Sequence, residues 1–141
     1  MERKGLTVIE LLVVVIIVAV LAALAIPKLI TYIHSARVKS AAEQLYYDIE
    51  TARSMAFQVG SSRVELNPPS TYRIYAPSTS TTPVKQVTLP SPITLSGTSN
   101  VFSFNRNKLP TSSGSIYISG YGNTYRIVIY KYSGRIRLEK N

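Results

Sequence analysis

Apolar residues are spread unevenly along the chain, and their spacing changes twice. From Leu6 to Ile26 the only polar side chains are Thr7 and Glu10, and Leu11 to Ile26 is unbroken. Written as a helix, this stretch spans about 30 Å, the thickness of a bilayer core. Beyond Pro27 the pattern becomes amphipathic. Val38, Ala41, Leu45, Ile49, Ala52, Ala56 and Val59 recur at steps of three and four, with Arg37, Lys39, Glu43, Glu50 and Arg53 largely off that stripe. Pro27 lacks a backbone donor and crowds the preceding turn, so a bend or local melting is expected there. Gly60-Ser61-Ser62 predicts the helix stop.

From Ser62 the helical period is gone. Pro68-Pro69 and the Ser/Thr-rich stretch between Pro77 and Pro83 punctuate the chain as loops. Between such breaks lie short runs rich in β-branched and aromatic residues: Tyr72–Ala76, Lys85–Leu89, Ile93–Leu95, Val101–Phe104, Ser115–Ser119, Tyr125–Tyr130 and Arg135–Leu138. The pairs Ile116/Ile118, Ile127/Ile129 and Ile136/Leu138 each turn two side chains to one face of a strand. Gly120-Tyr121-Gly122-Asn123 and Tyr132-Ser133-Gly134 are hairpin signals, so the last three strands are expected to form an antiparallel meander whose inner face covers the helical stripe. The fold class is α+β: a long N-terminal helix, apolar in its first half and amphipathic in its second, packed on a C-terminal antiparallel β-sheet domain.

Composition narrows the chemistry. The 141 residues contain no cysteine, which removes disulfides, thiolate metal sites and a Cys nucleophile. The formal charge is +9, and only Glu65 and Glu139 are acidic after Glu50. Such a balance suits an acidic partner, nucleic acid or anionic lipid, or simply solubility.

Met1 to Gly5 is short, polar and basic, so the positive-inside rule keeps it cytoplasmic and places the remainder outside the cytoplasm. Three readings compete for the apolar run: a plain single-span anchor, a signal peptide removed after Ala23-Leu24-Ala25, and a helix kept in place after a leader is cut at Gly5/Leu6. Glu10 helps to separate them. A charged, unpaired carboxylate in an apolar run costs several kcal/mol. Cleavage after Gly5 would create a cationic α-amine on Leu6, one helical turn from Glu10 on the same face. The two charges could then neutralise each other within one chain or between axially shifted neighbours.

Here the chain resembles the type IV pilin superfamily. Lys4-Gly5-Leu6-Thr7-Val8-Ile9-Glu10-Leu11 matches its pattern of a basic leader ending in Gly, then a Phe-Thr-Leu-Ile-Glu-like segment and a long apolar helix, with Leu6 in place of the commoner Phe. The resemblance implies cleavage and N-methylation at Gly5 and Leu6, subunit assembly through Glu10 and a helix kink at Pro27. It divides the chain into a leader (1–5), a transmembrane or filament-core helix (6–27), an amphipathic helix (28–61) and a β-rich globular domain (62–141). Ala52-Arg53-Ser54-Met55-Ala56, Phe102-Ser103-Phe104, Gly114-Ser115-Ile116-Tyr117-Ile118 and Gly134-Arg135-Ile136-Arg137-Leu138 further resemble the GspH/FimT group of minor pilins and pseudopilins. The glycine usual after the Phe-x-Phe strand is replaced by Asn105-Arg106-Asn107. The implied protein is a minor subunit near the tip of a type IV pilus or a type II secretion pseudopilus. Its implied partners are other pilin subunits, the prepilin peptidase, a membrane assembly platform and, before assembly, inner-membrane lipid. Its implied location is the inner membrane as a single-pass protein, then a periplasmic or extracellular filament.

Catalytic and cofactor chemistry finds no support. His34 is the only histidine and lies just past the apolar run, with neither a cysteine nor a carboxylate cluster to complete a metal site. Gly120-Tyr121-Gly122 stands between strands and lacks the helix of a nucleotide loop. An enzyme is not expected, and neither is a cofactor. The basic C-terminus is different. Arg135 and Arg137 alternate on an expected strand and so share a face, with Lys131 before them, Lys140 after them, and Tyr130 and Tyr132 interleaved. Guanidinium forks suit phosphate oxygens, and tyrosines stack on bases. FimT-like members resembled here include DNA-uptake pilins that hold DNA with a Gly-Arg-x-Arg segment, so double-stranded DNA is a second candidate ligand, against a solvated strand face or pairing with neighbouring subunits.

Overall fold

A computed structural model describes residues 7–141. One helix, α1 (Val8–Val59), precedes eight strands: β1 (Ser61–Asn67), β2 (Thr71–Tyr75), β3 (Lys85–Thr88), β4 (Thr94–Gly97), β5 (Val101–Asn105), β6 (Gly114–Gly120), β7 (Asn123–Ile129) and β8 (Ile136–Lys140). The chain divides into two compact units, with the boundary inside α1 between His34 and Ser35.

In the first unit, the large apolar side chains of α1 from Val8 to Ile33 are exposed. The helix continues through Pro27, so the local melting expected there does not occur. Thr31 Oγ1 donates to the Pro27 carbonyl at 3.1 Å, one turn on.

The second unit is built on the amphipathic half of α1. Val38, Ala41, Ala42, Leu45, Ile49, Ala52 and Ala56 are buried there, and Asp48 with them. Val59, expected on the stripe, is exposed, because the helix ends before it can be covered. Small Ala residues on this face admit large side chains from the sheets: Phe102, Phe104, Ile116, Ile118, Ile127 and Ile129 are all fully buried. Each such residue contributes roughly 1.5–3 kcal/mol by leaving water. Gly60 closes the helix at φ +97°, its N–H donating to the Ala56 carbonyl at 2.9 Å. A left-handed residue there is what lets the chain turn directly into β1.

The strands form two four-stranded antiparallel sheets, in the orders β3-β2-β1-β5 and β4-β6-β7-β8. The second holds the expected meander of the last three strands. Its two-residue turn, Tyr121 (φ +50°) and Gly122 (φ +77°), has the doubly positive φ that matches strand twist in a tight hairpin. The first sheet contains a strand absent from the sequence expectations. β1 alternates buried Ser62, Val64 and Leu66 with outward Arg63 and Glu65, and it pairs with both β2 and β5. β8 also starts one residue later than expected, at Ile136, which leaves Arg135 in the turn.

Candidate functional site

Glu10 sits in the first turn of α1. Its Oε2 accepts from the Thr7 backbone N–H at 2.8 Å and from Thr7 Oγ1 at 3.0 Å, while the Glu10 N–H donates to Thr7 Oγ1 at 3.3 Å. This is a capping box, in which residues three apart satisfy each other's end groups. The Thr-x-x-Glu signal stood in the sequence, and reasoning from charge alone passed over it. The consequence is that the carboxylate has hydrogen-bond partners within its own chain. Gly5 and Leu6, the expected cleavage and methylation positions, lie outside the described residues. Pro27 lies within the exposed apolar stretch of the same helix. α1 is long and apolar enough to cross a membrane.

At the carboxyl end of α1 the second candidate site takes shape. Gly134, at φ +63°, closes the turn between β7 and β8. Its N–H donates to the Tyr130 carbonyl, and the Tyr130 N–H donates to the Arg135 carbonyl, both at 2.9 Å. This turn and β8 bring Tyr130, Ser133, Arg135 and Arg137 around one open groove of about 290 Å³. Lys131 is adjacent, its backbone N–H donating to Ser113 Oγ at 2.9 Å, with its ammonium 6.0 Å from the Tyr132 ring centre. Tyr132 is 93% exposed. Lys140 is placed elsewhere. It pairs with Tyr125 at the far end of β8, in the alternation of Ile136 and Leu138 and not that of Arg137.

Two cations that sequence reasoning missed join the groove's surroundings. A Cβ on Gly134 would lie 3.1 Å from Leu109 Cδ2 and 3.6 Å from the Lys108 carbonyl, so the β5–β6 loop abuts this turn. That loop carries Lys108, whose ammonium stands 4.9 Å over the Phe57 ring. It also carries Arg106, whose Nη2 would lie 3.5 Å from a Cβ on Gly60. The last turn of α1 has no basic residue, and Arg106 supplies the positive charge that a helix C-terminus favours. The available signal was Asn105-Arg106-Asn107, standing where the family pattern has a glycine.

Glu139 bounds this surface. It faces Arg126 across β7 and β8, with Arg126 Nη2 donating to its Oε2 at 2.7 Å. That hydrogen bond holds the Glu139 carboxyl below the usual carboxylate range, and the charges of Arg126 and Arg137 add to the effect.

A third cluster is structural. Asp48 falls between Leu45 and Ala52 on the buried stripe and accepts from the Tyr72 hydroxyl and from Lys85 Nζ, each at 2.7 Å. Burial, reinforced by the Asp48 carboxylate, pushes the Tyr72 hydroxyl far above its ordinary range, so it stays a donor. The network ties α1 to β2 and β3. Among the described residues no group of three His, Cys, Asp or Glu side chains could hold a metal ion.

A long helix whose second half packs on antiparallel sheets is the α+β architecture expected of a pilin fold, and its apolar first half is long enough to fit a single-pass membrane anchor. The chain belongs to the family of the type II transport protein GspH, which it matches over residues 41–132, about two thirds of its length. This is a family of structural pseudopilins. The match begins after Pro27 and ends before Gly134, so neither the apolar segment nor the arginine pair contributes to it. No curated protein matches the chain. No solved structure does either.

Proposed function

We propose that the protein is a minor pseudopilin or pilin subunit, cut after Gly5 by a prepilin peptidase, methylated on Leu6 and assembled through its apolar helix into a filament, at or near the tip. The observation that carries this reading is the apolar stretch of α1, uncovered by the protein's own residues and opened by a single capped carboxylate. Before assembly, inner-membrane lipid covers that stretch, and in the filament neighbouring subunits do. The described family, type II transport, favours a secretion pseudopilus over a pilus. In this mechanism Glu10 leaves the Thr7 cap to meet the Leu6 amine of a neighbour on the assembly platform. The test is the mature N-terminus together with the Glu10→Ala variant. A chain beginning at Leu6, and a variant that is cut normally yet falls at least tenfold in filament incorporation, are expected. A mature chain beginning after Ala25, as after signal-peptide cleavage, overturns the reading.

A second reading, double-stranded DNA capture, is favoured by the convergence of Arg135, Arg137 and Tyr130 on one groove, with Lys131, Arg106 and Lys108 beside it. A gel-shift titration against salt tests it. Removing two phosphate contacts with Arg135→Ala/Arg137→Ala lowers the slope of log K on log salt by about 2. An unchanged slope and affinity eliminate the DNA reading and leave the assembly reading standing.

A further inference from the structure

Every acidic side chain of the second unit is already matched. Glu43 pairs with Lys39, Asp48 with Lys85, Glu50 with Arg53, Glu65 with Arg63 and Glu139 with Arg126. The unit's positive excess therefore rests on cations without an acidic partner among the described residues. Most gather at the β7–β8 turn and its neighbouring loop. Arg37 is separate: it is exposed near the start of the unit's helix and lines a different groove, of about 300 Å³.

One wall of this groove is the helical face of Arg37, Ser40, Ala41 and Gln44, spaced to project together. The other wall is β3, through Val87 and Thr88. β3 is an edge strand, with β2 on one side and no strand on the other. Its free side can be read from the ladder. The Leu89 N–H donates to the Ser70 carbonyl at 2.7 Å, and Val87 faces Tyr72 in the same register. In antiparallel pairing, residues alternate between bonding inward and outward. The backbone N–H and C=O groups of Gln86 and Thr88 therefore point away from β2, on the free edge of the strand. An edge strand's unpaired groups are a template for another strand; β3 offers them over the short stretch between Pro83 and Pro90, where Pro90 and Tyr121 close one end of the groove. The opposite edge of this sheet is not free in the same way, because the Thr111 N–H donates to the Ser103 carbonyl and Pro110 bridges to Phe104 beside β5.

We infer that this groove receives an extended acidic segment of another protein, which adds as a strand to β3 and places a carboxylate on Arg37. The backbone of the segment pairs with Gln86 and Thr88. A small apolar side chain fills the floor at Ala41 and Val87, and the hydroxyl of Ser40 and amide of Gln44 meet its polar groups. Such strand addition draws affinity from main-chain bonds and specificity from alternate side chains. Charge commits the occupant. A basic or neutral strand finds no acid here, whereas a carboxylate finds a guanidinium free to bind it in a fork. A second copy of this chain is a poor fit, since every acidic side chain of its second unit already has a cation of its own.

The probe is a fluorescein-labelled hexapeptide, Glu-Thr-Val-Thr-Val-Glu, titrated by anisotropy against the full chain in detergent micelles. Arg37→Glu is expected to weaken binding at least tenfold, and a peptide with Lys in place of both Glu residues is expected to prefer that variant. N-methylation of alternate peptide amides removes main-chain donors without altering the protein, and in one of the two registers it should abolish binding. Three results overturn the inference: equal binding by wild type and Arg37→Glu, equal binding by both N-methylated peptides, or a loss of affinity that tracks Arg135→Ala/Arg137→Ala instead of Arg37. None of them bears on the assembly reading, which stands on the apolar stretch of α1 and on Glu10.

Discussion

Two stretches of one helix have the same backbone and opposite fates. Between Val8 and Ile33 large apolar side chains face outward, and between Val38 and Ala56 mostly small ones face inward. The first stretch leaves nearly all its apolar surface exposed. The second buries a modest surface of its own and, by being small, lets aromatic and β-branched residues of two sheets close over it. Hydrophobicity alone does not separate a core from a contact surface. Side-chain size and the period at which polar residues interrupt the run do.

The sharpest way to break this comparison is the same kind of truncation in both stretches. Leu45→Ala, at a fully buried position, is expected to lower the unfolding free energy of the second unit by about 2–5 kcal/mol. Ile17→Ala, at an exposed one, should leave it within ~0.5 kcal/mol. Denaturant titration in micelles, monitored by tyrosine fluorescence, measures both. A comparable loss from Ile17→Ala would mean that the apolar stretch is part of the folded core.

Asp48 sharpens the contrast, because it is the one carboxylate on the buried face of the second stretch, as Glu10 is the one carboxylate of the first. Glu10 is held by bonds within its own helical turn, whereas Asp48 is held across the core by Tyr72 and Lys85. Tyr72→Phe removes one donor to a buried carboxylate and is expected to cost about 1–3 kcal/mol. Glu10→Gln should leave the unfolding of the second unit unchanged. A null effect of Tyr72→Phe in the same titration would show that solvent takes the place of the hydroxyl.

The parts of the fold legible in sequence were those written in one period. The apolar run, the stripe through Leu45 and Ile49, and the β6–β7–β8 meander each repeat a single spacing long enough to stand out. β1 was not legible, because Ser61-Ser62-Arg63 reads as the polar end of a helix until Val64 and Leu66 are seen to alternate with Glu65. The division of the strands into two sheets was hidden for a different reason: β1 pairs with β5, across intervening strands, and no local signal encodes that partner. At the candidate sites, Arg135 and Arg137 were legible as near neighbours, though their expected alternation on one strand was not met, since only Arg137 lies on β8. Arg106 and Lys108 were not, since only the packing of Leu109 against Gly134 brings their loop to the same end of the unit.

That packing gives a smaller effect to look for. Gly134 holds a left-handed φ, and a methyl group there would press on Leu109 Cδ2. Gly134→Ala is expected to destabilise the second unit by about 1–2 kcal/mol. It should also move the β7–β8 turn relative to Lys108, visible as amide shift changes at both Lys108 and Arg135. Shifts confined to the turn would separate the two loops and narrow the cationic surface to the arginine pair.

The smallest effect concerns pH, and it joins the cationic end to the stability of the unit that bears it. Glu139 has a folded pKa below its unfolded value, because Arg126 donates to it and Arg137 lies close. A depressed carboxylate pKa stabilises the fold at pH values above the unfolded pKa, where the acid is ionised in both states. The stabilisation is lost as pH falls through the ordinary carboxylate range and then through the lower folded pKa, where protonation releases Arg126. The pair is solvent-exposed, so the change in stability is a fraction of the surface-pair range. Carboxyl-carbon NMR should place the Glu139 midpoint below the ordinary carboxylate range. Arg126→Gln should raise the Glu139 midpoint toward the ordinary value. Since protonated Glu139 no longer offsets Arg137, acidification should also make the end carrying Arg135 and Arg137 more positive as it loses this support. A Glu139 midpoint at the ordinary carboxylate value would mean that Arg126 does not hold the carboxylate in solution, and that acidification weakens this end no more than it weakens any exposed acid.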